Sequence, residues 1–591
     1  PFVGGFSLAT ILLVFSHFSG VRSDDAASSS SVSPGYFGQP VSSTQADWAA
    51  LNSTLKGRLL PGIPWTEPCF TTYNGKNVTQ DLAKCGFVQE NFFDHFARSD
   101  AFGGYTLQNY EECMATGDQC ALDWTNPANP LAFSPPQTCK QGSIPDYFID
   151  VQGEDDVVVA LEFVSKSNVP LVIKNTGHDF KGRSSAPGSL ALWMHNLKNI
   201  THEPKFIPEG CHLPSQQALT LGAGTQWQEI YEFANTLGLE VVGGADQTVG
   251  AVGGWVQGGG HSSLTPMLGM GADRVLQYKV VTPDGILRTV NSCQNSDLFF
   301  ALRGGGGGTF AVALEATIMA SPSQTFRVAN INWPITDDNL RQVLAMVVEN
   351  ATTIATQGWG GYLTPTIGNL VLMSNKLSME DAQKMMQPLI TLTTELGGVS
   401  NVTEFPNYLE WFNAYTNGIS GSQDGVAVPN ALTSRLIPQK NHATAAGRAE
   451  TLNALTNALE NAEFSQIHFT TPFGFKGSDG KDTSVNPIWR SSLYQVILVN
   501  IWEYNATIAD KQAAYAQGTK AVNFLRDITP DSGAYLNESD IHEPNHEVSF
   551  WGTNYARLLQ IKDKYDPRRI LDCWHCVGWK GAASPRYRCY I

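Results

Sequence analysis

Across its 591 residues the chain has no run of basic side chains, and its longest apolar segment is too short to cross a bilayer. Lys and Arg number 38 against 54 Asp and Glu, a formal charge of −16. The average field therefore repels polyanions, which argues against nucleic acid or an anionic membrane surface as a partner. Charged residues are scarce, at 16% against 42% hydrophobic, while 55 glycines and 31 prolines punctuate the sequence. That balance belongs to a folded, loop-rich protein and not to a disordered polyelectrolyte. None of the glycine clusters contains G-x-G-x-x-G, and none carries the Lys-Ser/Thr pair of a P-loop, which disfavours ordinary nicotinamide and nucleoside triphosphate sites. No G-x-S-x-G sits in a strand-turn-helix setting, so a serine hydrolase has no support. No internal repeat stands out.

What is present points first to a compartment. Residues 6–18 (FSLATILLVFSHF), followed by Gly20, Val21, Arg22 and Ser23, have the pattern of a signal-peptide core, and residues 1–23 are expected to be removed on secretion. Asn52, Asn77, Asn199, Asn350, Asn401, Asn505 and Asn537 each begin Asn-X-Ser/Thr, so N-glycans are expected. The 10 cysteines are even in number, and five lie between Cys69 and Cys139, where loops of weak periodicity gain most from cross-links. Cys69 with Cys85 and Cys113 with Cys120 are the expected pairs there. A secreted, extracellular protein follows, with no membrane association once the leader is gone.

A Ser/Ala-rich linker gives way at residue 48 to a helix-like segment and then to a cysteine-bearing arm, residues 24–138 in all. Residues 147–151, 155–167 and 170–174 spell strand, amphipathic helix and strand, a β-α-β unit. Residues 226–237 have a helical pattern, and 275–282 with 287–290 form a hairpin turning at Pro283-Asp284-Gly285. Beyond residue 321 the glycine clusters stop. Helical patterns at 337–353, 380–396 and 443–463 alternate with strand-like runs at 326–333, 466–471 and 493–502, the texture of an α+β domain on a mostly antiparallel sheet. A last helix covers 551–564.

Three glycine-bearing segments carry the chemistry. Lys174-Asn-Thr-Gly-His-Asp-Phe-Lys-Gly-Arg-Ser184 follows a buried strand, and its glycines allow the backbone close to a pyrophosphate. In 243–262, GGADQTVGAVGGWVQGGGHS, glycines recur every three to four residues, as where side chains would obstruct something flat and large. Arg303-Gly-Gly-Gly-Gly-Gly-Thr309-Phe310 precedes the strand-like run 311–318.

Taken in order with Gly222-Ala-Gly-Thr-Gln-Trp227, Cys293-Gln-Asn-Ser-Asp-Leu-Phe-Phe300 and Tyr565-Asp-Pro567, these segments resemble the fungal FAD-linked oxidases of the vanillyl-alcohol oxidase and berberine-bridge-enzyme superfamily, nearest the isoamyl alcohol oxidase subgroup. The resemblance, from about residue 48 to 578, implies an α+β fold: a two-lobed FAD-binding domain of the PCMH type (139–322), a substrate domain on an antiparallel sheet (323–535) and a C-terminal segment returning to the FAD domain (536–591). It implies that His178 bonds covalently to the flavin. It implies further that Asn175, Thr176, Gly177, Asp179 and Ser184 meet the pyrophosphate side, that Asp246, Thr248, Val249, Gly250, Gly253, Gly254 and His261 line the flavin, and that Val312 approaches through its backbone. Many relatives carry a second, cysteinyl tether at the position of Asp246, so a single linkage is expected here.

The implied reaction takes a small-molecule alcohol to a carbonyl, with O2 reoxidising the flavin and giving H2O2. The base is less defined. Where some relatives place a glutamate, Ser484-Val-Asn-Pro-Ile-Trp-Arg490 has none, which leaves Tyr494, Tyr555, His261 and His575 as candidates, each of which packing also explains. Dehydrogenation or oxidative cyclisation of a secondary metabolite is an alternative on the same flavin, and a non-catalytic secreted glycoprotein is a second. His542-Glu-Pro-Asn-His546 matches H-E-x-x-H, but Pro544 breaks the helical turn that zinc ligation needs, so no metal is expected there. Cys573-Trp-His-Cys576 lacks a thioredoxin context and is expected to be a structural disulfide.

Overall fold

The computed structural model describes residues 44–167, 169–416 and 425–591. The expected signal peptide and nearly all of the linker lie outside them. Strands β1 (Leu59–Pro61), β2 (Tyr147–Asp150), β3 (Leu171–Lys174) and β4 (Leu190–Trp193) form a sheet in the order β1-β2-β4-β3. Helix α1 (Glu154–Ser167) joins β2 to β3 and opens on Glu154, Asp155 and Asp156, whose charge suits a helix N-terminus. All three elements of the expected β-α-β unit are present, but β2 and β3 are not neighbours, because β4 inserts parallel between them. This places the loop leaving β3 at the carboxyl end of a parallel set, where open α/β sheets bind ligands.

A second sheet of five strands is antiparallel: β5 (Ile200–Phe206), β6 (Gln216–Gly222), β7 (Val275–Val281), β8 (Leu287–Asn291) and β9 (Val312–Met319), ordered β8-β7-β9-β6-β5. The β7-β8 hairpin turns where expected, with Gly285 at φ +76°. Helix α2 (Trp227–Thr236) follows β6 and buries Trp227, Ile230, Tyr231 and Ala234 on one face.

The third sheet has seven antiparallel strands: β10 (Phe326–Asn332), β11 (Gly360–Thr364), β12 (Asn369–Ser374), β13 (Ser400–Phe405), β14 (Asn430–Pro438), β15 (Phe464–Phe469) and β16 (Ser492–Ile501), ordered β13-β10-β12-β11-β15-β16-β14. Helices α3 (Asp337–Thr356), α4 (Met379–Glu395), α5 (Ala445–Glu460) and α6 (Ile508–Ile528) cover one face, where Val347, Leu389, Leu455 and Leu525 share a core with Leu372, Val496 and Leu498. Strand alternation sends Gln495, Ile497 and Val499 of β16 to the other face. The α+β class and the antiparallel substrate sheet agree with expectation. Strands β11 to β14 and α6 have no counterpart in the sequence patterns above, since polar and glycine residues interrupt their periodicity.

All 10 cysteines are paired, and Cys69–Cys85 and Cys573–Cys576 are as expected. Cys113 and Cys120 are not partners. Cys113 pairs with Cys589 and Cys120 with Cys139, because a tight turn closed by Cys113 N–H on Asp118 O (2.8 Å) sends the chain away before Cys120, while the C-terminal tail returns to Cys113. Cys211–Cys293 completes the set. Among the described residues no helix is long and apolar enough to cross a membrane.

Leu498→Ala, which empties a fully buried position on the helix-covered face, is expected to lower stability by about 2–5 kcal/mol in denaturant melts. A loss under about 1 kcal/mol would contradict the strand's register.

Candidate active site

A cleft of about 1170 Å³, open in part to solvent, lies among the loop after β3, the glycine-rich segment before β7 and the segment entering β9, with residues 535–538 and the C-terminal tail at its rim. Asn175, Thr176, Gly177, His178, Asp179, Ser184, Val249, Gly250, Gly253 and Gly254 line it. Asp246 and Thr248 stand one layer behind His178, and His261 lies beside the rim. Val312 points into the core, fully buried, while its neighbours Ala311 and Ala313 face the cleft, as strand alternation requires.

The β3 loop is shaped by its own residues. Asp179 accepts the Ser184 N–H at 2.7 Å and the Lys181 N–H at 3.1 Å, folding the loop over its carboxylate. Gly177 takes φ +89°, and a Cβ there would come within 3.2 Å of Tyr105 Cα. Trp193 Nε1–H donates to the Asn175 carbonyl at 3.1 Å, tying the loop to β4.

His178 is held from one side. Its Nε2 lies 2.6 Å from Thr248 Oγ1 and 3.3 Å from Asp246 Oδ1, and the other Asp246 oxygen is 2.6 Å from His95 Nδ1. Burial pushes the His178 imidazole down to about 4, with Asp246 partly opposing and His95 and Lys174 reinforcing. Burial alone would raise the Asp246 carboxyl, but the two imidazoles and the Thr248 N–H more than offset it and hold it well below the usual carboxylate range. A neutral ring whose Nε2–H is donated leaves its lone pair on Nδ1, which makes no hydrogen bond among the described residues.

At the rim, Glu538 lines the cleft and carries the second constellation. His261 Nε2 is 3.2 Å from both carboxylate oxygens, and Gln495 Nε2–H donates to Oε2 at 3.1 Å. Burial raises the Glu538 carboxyl, and the charge and hydrogen bond of His261, with His468 and Gln495, lower it further than that, so the net shift is downward. His468 lies 5.6 Å from His261 by ring centroids and is pushed down to about 3 by burial. The Nδ1 atoms of both rings are buried without a partner.

Of the four expected base candidates, only His261 reaches this place. Tyr494 is in the helix-facing core, its hydroxyl 3.0 Å from His442 Nε2. Tyr555 accepts the Gly578 N–H at 3.3 Å, away from the cleft. His575 stacks on His546 at 4.1 Å. His542 precedes the short helix His546–Trp551, so the H-E-x-x-H histidines do not share a helical turn. Two other trios, His95 with His178 and Asp246, and His261 with His468 and Glu538, bring their donor atoms within 4.8 Å of one another. Glu538 escaped the sequence patterns because Asn537-Glu-Ser matches a glycosylation acceptor. The half-buried Asn537 donates its Nδ2–H to Gly254 O at 2.9 Å beside the cleft.

The cleft fits a flat dinucleotide. A Cβ on Gly254 would meet nothing within 4 Å and would project into open space, and one on Gly308 would approach only Ile173, at 3.8 Å. Ser184 Oγ and Asn175 Oδ1 are buried without partners beside it. In comparisons with known proteins, the family described as FAD binding domain matches residues 145–291, and that described as berberine and berberine like matches 534–572. The chain is 35% identical over 575 residues to the FAD-linked oxidoreductase ffsJ of Aspergillus flavipes, covering 90% of this chain and 92% of the other. Among solved structures it is similar to the VAO-type flavoprotein MtVAO615 of Myceliophthora thermophila C1, with a TM-score of 0.79 and 29% identity over 92% of this chain and 96% of that one. A glucooligosaccharide oxidase from Acremonium strictum, described as holding a 6-S-cysteinyl, 8α-N1-histidyl FAD, shares the fold at 19% identity and a TM-score of 0.61 over 73% and 91% of the two chains.

The buried His468 imidazole predicts acid sensitivity. With the folded value of His468 depressed to about 3, the unfolded chain takes up this proton first, near 6.5. Stability is therefore full above roughly pH 6.5 and falls as pH drops towards about 3. Melting temperature is expected to follow that slope, and His468→Gln to flatten it. An unchanged melting temperature over this window would contradict the burial of a neutral ring.

Proposed function

The chain belongs to the FAD-linked oxidoreductases of the vanillyl-alcohol oxidase and berberine-bridge-enzyme-like superfamily, and from that premise we propose a secreted oxidase that converts an alcohol to a carbonyl, with Glu538 as base and His178 as the single covalent anchor of FAD. When bound, FAD supplies a two-electron acceptor whose reduced form passes its electrons to O2, giving H2O2.

The observation that carries this proposal is the Glu538 carboxylate at the cleft rim, kept ionised by His261 and Gln495. A carboxylate can act as base only when ionised and within hydrogen-bond reach of the proton it takes. Glu538 takes the substrate hydroxyl proton, and the His261 Nε2–H donor orients the carboxylate. The partnerless Nδ1 atoms of His261 and His468 are the polar groups left to orient the oxygen functions of the substrate. Trp489, stacked on His261 at 5.9 Å, and Tyr535, edge-on at 5.1 Å, wall this set and exclude water.

For the anchor, the free Nδ1 of a neutral His178 is the nucleophilic atom, and the Thr248–Asp246–His95 chain fixes the opposite nitrogen. Pairing of all 10 cysteines leaves no thiol for a second tether, which supports one linkage. The five disulfides support an oxidising compartment.

Anaerobic mixing with a panel of primary and secondary alcohols is expected to bleach the flavin absorbance of the wild type. Glu538→Gln should keep its flavin and lose roughly 10²–10⁴-fold in kcat. Wild-type turnover in Glu538→Gln would remove Glu538 from this role, and a flavin that no alcohol bleaches would overturn alcohol oxidation itself.

A further inference from the structure

The C-terminal tail supplies an arginine that the reaction does not use. Arg586 sits in the turn Pro585–Tyr587, lines the cleft, and makes no hydrogen bond or ion pair among the described residues. The other guanidinium lining the cleft, Arg183, already donates to Asn537 Oδ1 at 2.8 Å and lies 3.4 Å from Asp179 Oδ1. In a chain of net charge −16, an unpaired cation facing a ligand cleft has been left for an anionic group of the ligand. Asp572 lines the same cleft, so no general positive field explains its position. Ser184 Oγ, buried and unpartnered in the cofactor loop against which the tail packs, lines the same cleft.

The tail is held in place by an uncommon connection. Cys589 is bonded to Cys113 across 476 residues of sequence, and each half of this disulfide lies close in sequence to a tyrosine that grips the cofactor loop. Tyr110 O–H donates to Phe180 O at 2.6 Å, and Tyr590 O–H donates to Lys181 O. Between them Gly182, at φ +67°, has no room for a side chain: a Cβ would lie 2.5 Å from the Tyr110 ring and 2.9 Å from the Tyr590 hydroxyl. Tyr590 also stacks on Trp574 at 4.2 Å and 7°.

We propose that Arg586, delivered to the cleft by the tail that the Cys113–Cys589 disulfide pins against the cofactor loop, is a binding residue for the anionic diphosphate of the dinucleotide. This rests on the cofactor being FAD. It does not depend on Glu538 or on the reaction.

The test is a fluorescence-quenching titration of His178→Ala apoprotein, in which binding stays reversible, with FAD and, separately, with riboflavin, which lacks phosphate. Adding Arg586→Ala is expected to weaken FAD binding by roughly tenfold or more and to leave riboflavin binding unchanged, with Arg586→Lys intermediate. Cys113→Ala/Cys589→Ala should weaken FAD to a similar extent, and combining it with Arg586→Ala should add little, because both remove the same contact. Unchanged FAD affinity in Arg586→Ala, or equal losses for FAD and riboflavin, would overturn the assignment. Full additivity would overturn the role of the disulfide in placing Arg586. Flavin that remained covalent in His178→Ala would refute the linkage instead, and the same titration on wild-type apoprotein from a riboflavin auxotroph would then read Arg586.

Discussion

The cleft exists because backbone meets backbone along it. Gly254 and Gly307 approach so closely that a Cβ on Gly307 would lie 2.7 Å from Gly254 Cα, and one on Gly250 would lie 2.3 Å from Asn175 Nδ2. Side chains at these positions would either push the two walls apart or fill the space between them. A bare floor buries little apolar surface of its own, so the surrounding sheets hold it in position. The five-stranded sheet and the segment entering it present Ala313 and Ala311, the parallel set presents the loop after β3, and the seven-stranded sheet reaches the cleft through Gln495, which holds Glu538. Function is placed on loops and the scaffold is left rigid, the usual division where chemistry needs an unobstructed approach.

Two carboxylates of like chemistry take different parts within this frame. Asp246 is bound by two imidazoles and the Thr248 N–H, faces away from the cleft, and orients His178. Glu538 lines the cleft and has one imidazole and one amide to hold it. Burial opposes ionisation of both, and their partners reverse it. Different surroundings set the two acidic groups apart, and the proposed division of anchoring from proton transfer rests on that difference.

Much of this was legible in the sequence, and the failures have physical causes. The glycine segments could be read because backbone access leaves a compositional mark, absent side chains in a recurring pattern, that does not depend on tertiary contacts, whereas His178 was singled out only through the family resemblance those segments carry. Helices α1 and α3 and strands β7 and β16 were legible from periodicity. Insertion of β4 between β2 and β3 was not, since pairing order is a tertiary property that four-residue strands do not encode. Cys113 finds its partner 476 residues away, beyond any local argument. Glu538 lies in an irregular segment whose Asn537-Glu-Ser triplet carries the pattern of a surface site, and only the fold shows the asparagine bonded to Gly254 O beside the cleft. Tyr494 and Tyr555 show the converse: aromatics on strand and helix satisfied a plausible role by type, and packing assigned them elsewhere.

The central claim is that the imidazole at position 178 fastens the flavin. Peptide mass spectrometry of the purified, protease-digested holoprotein tests it most directly. The account predicts that the peptide containing Lys174-Asn-Thr-Gly-His178 carries the mass of one flavin nucleotide and that no second peptide does. An unmodified His178 peptide, with flavin released freely or found on another residue, would contradict it.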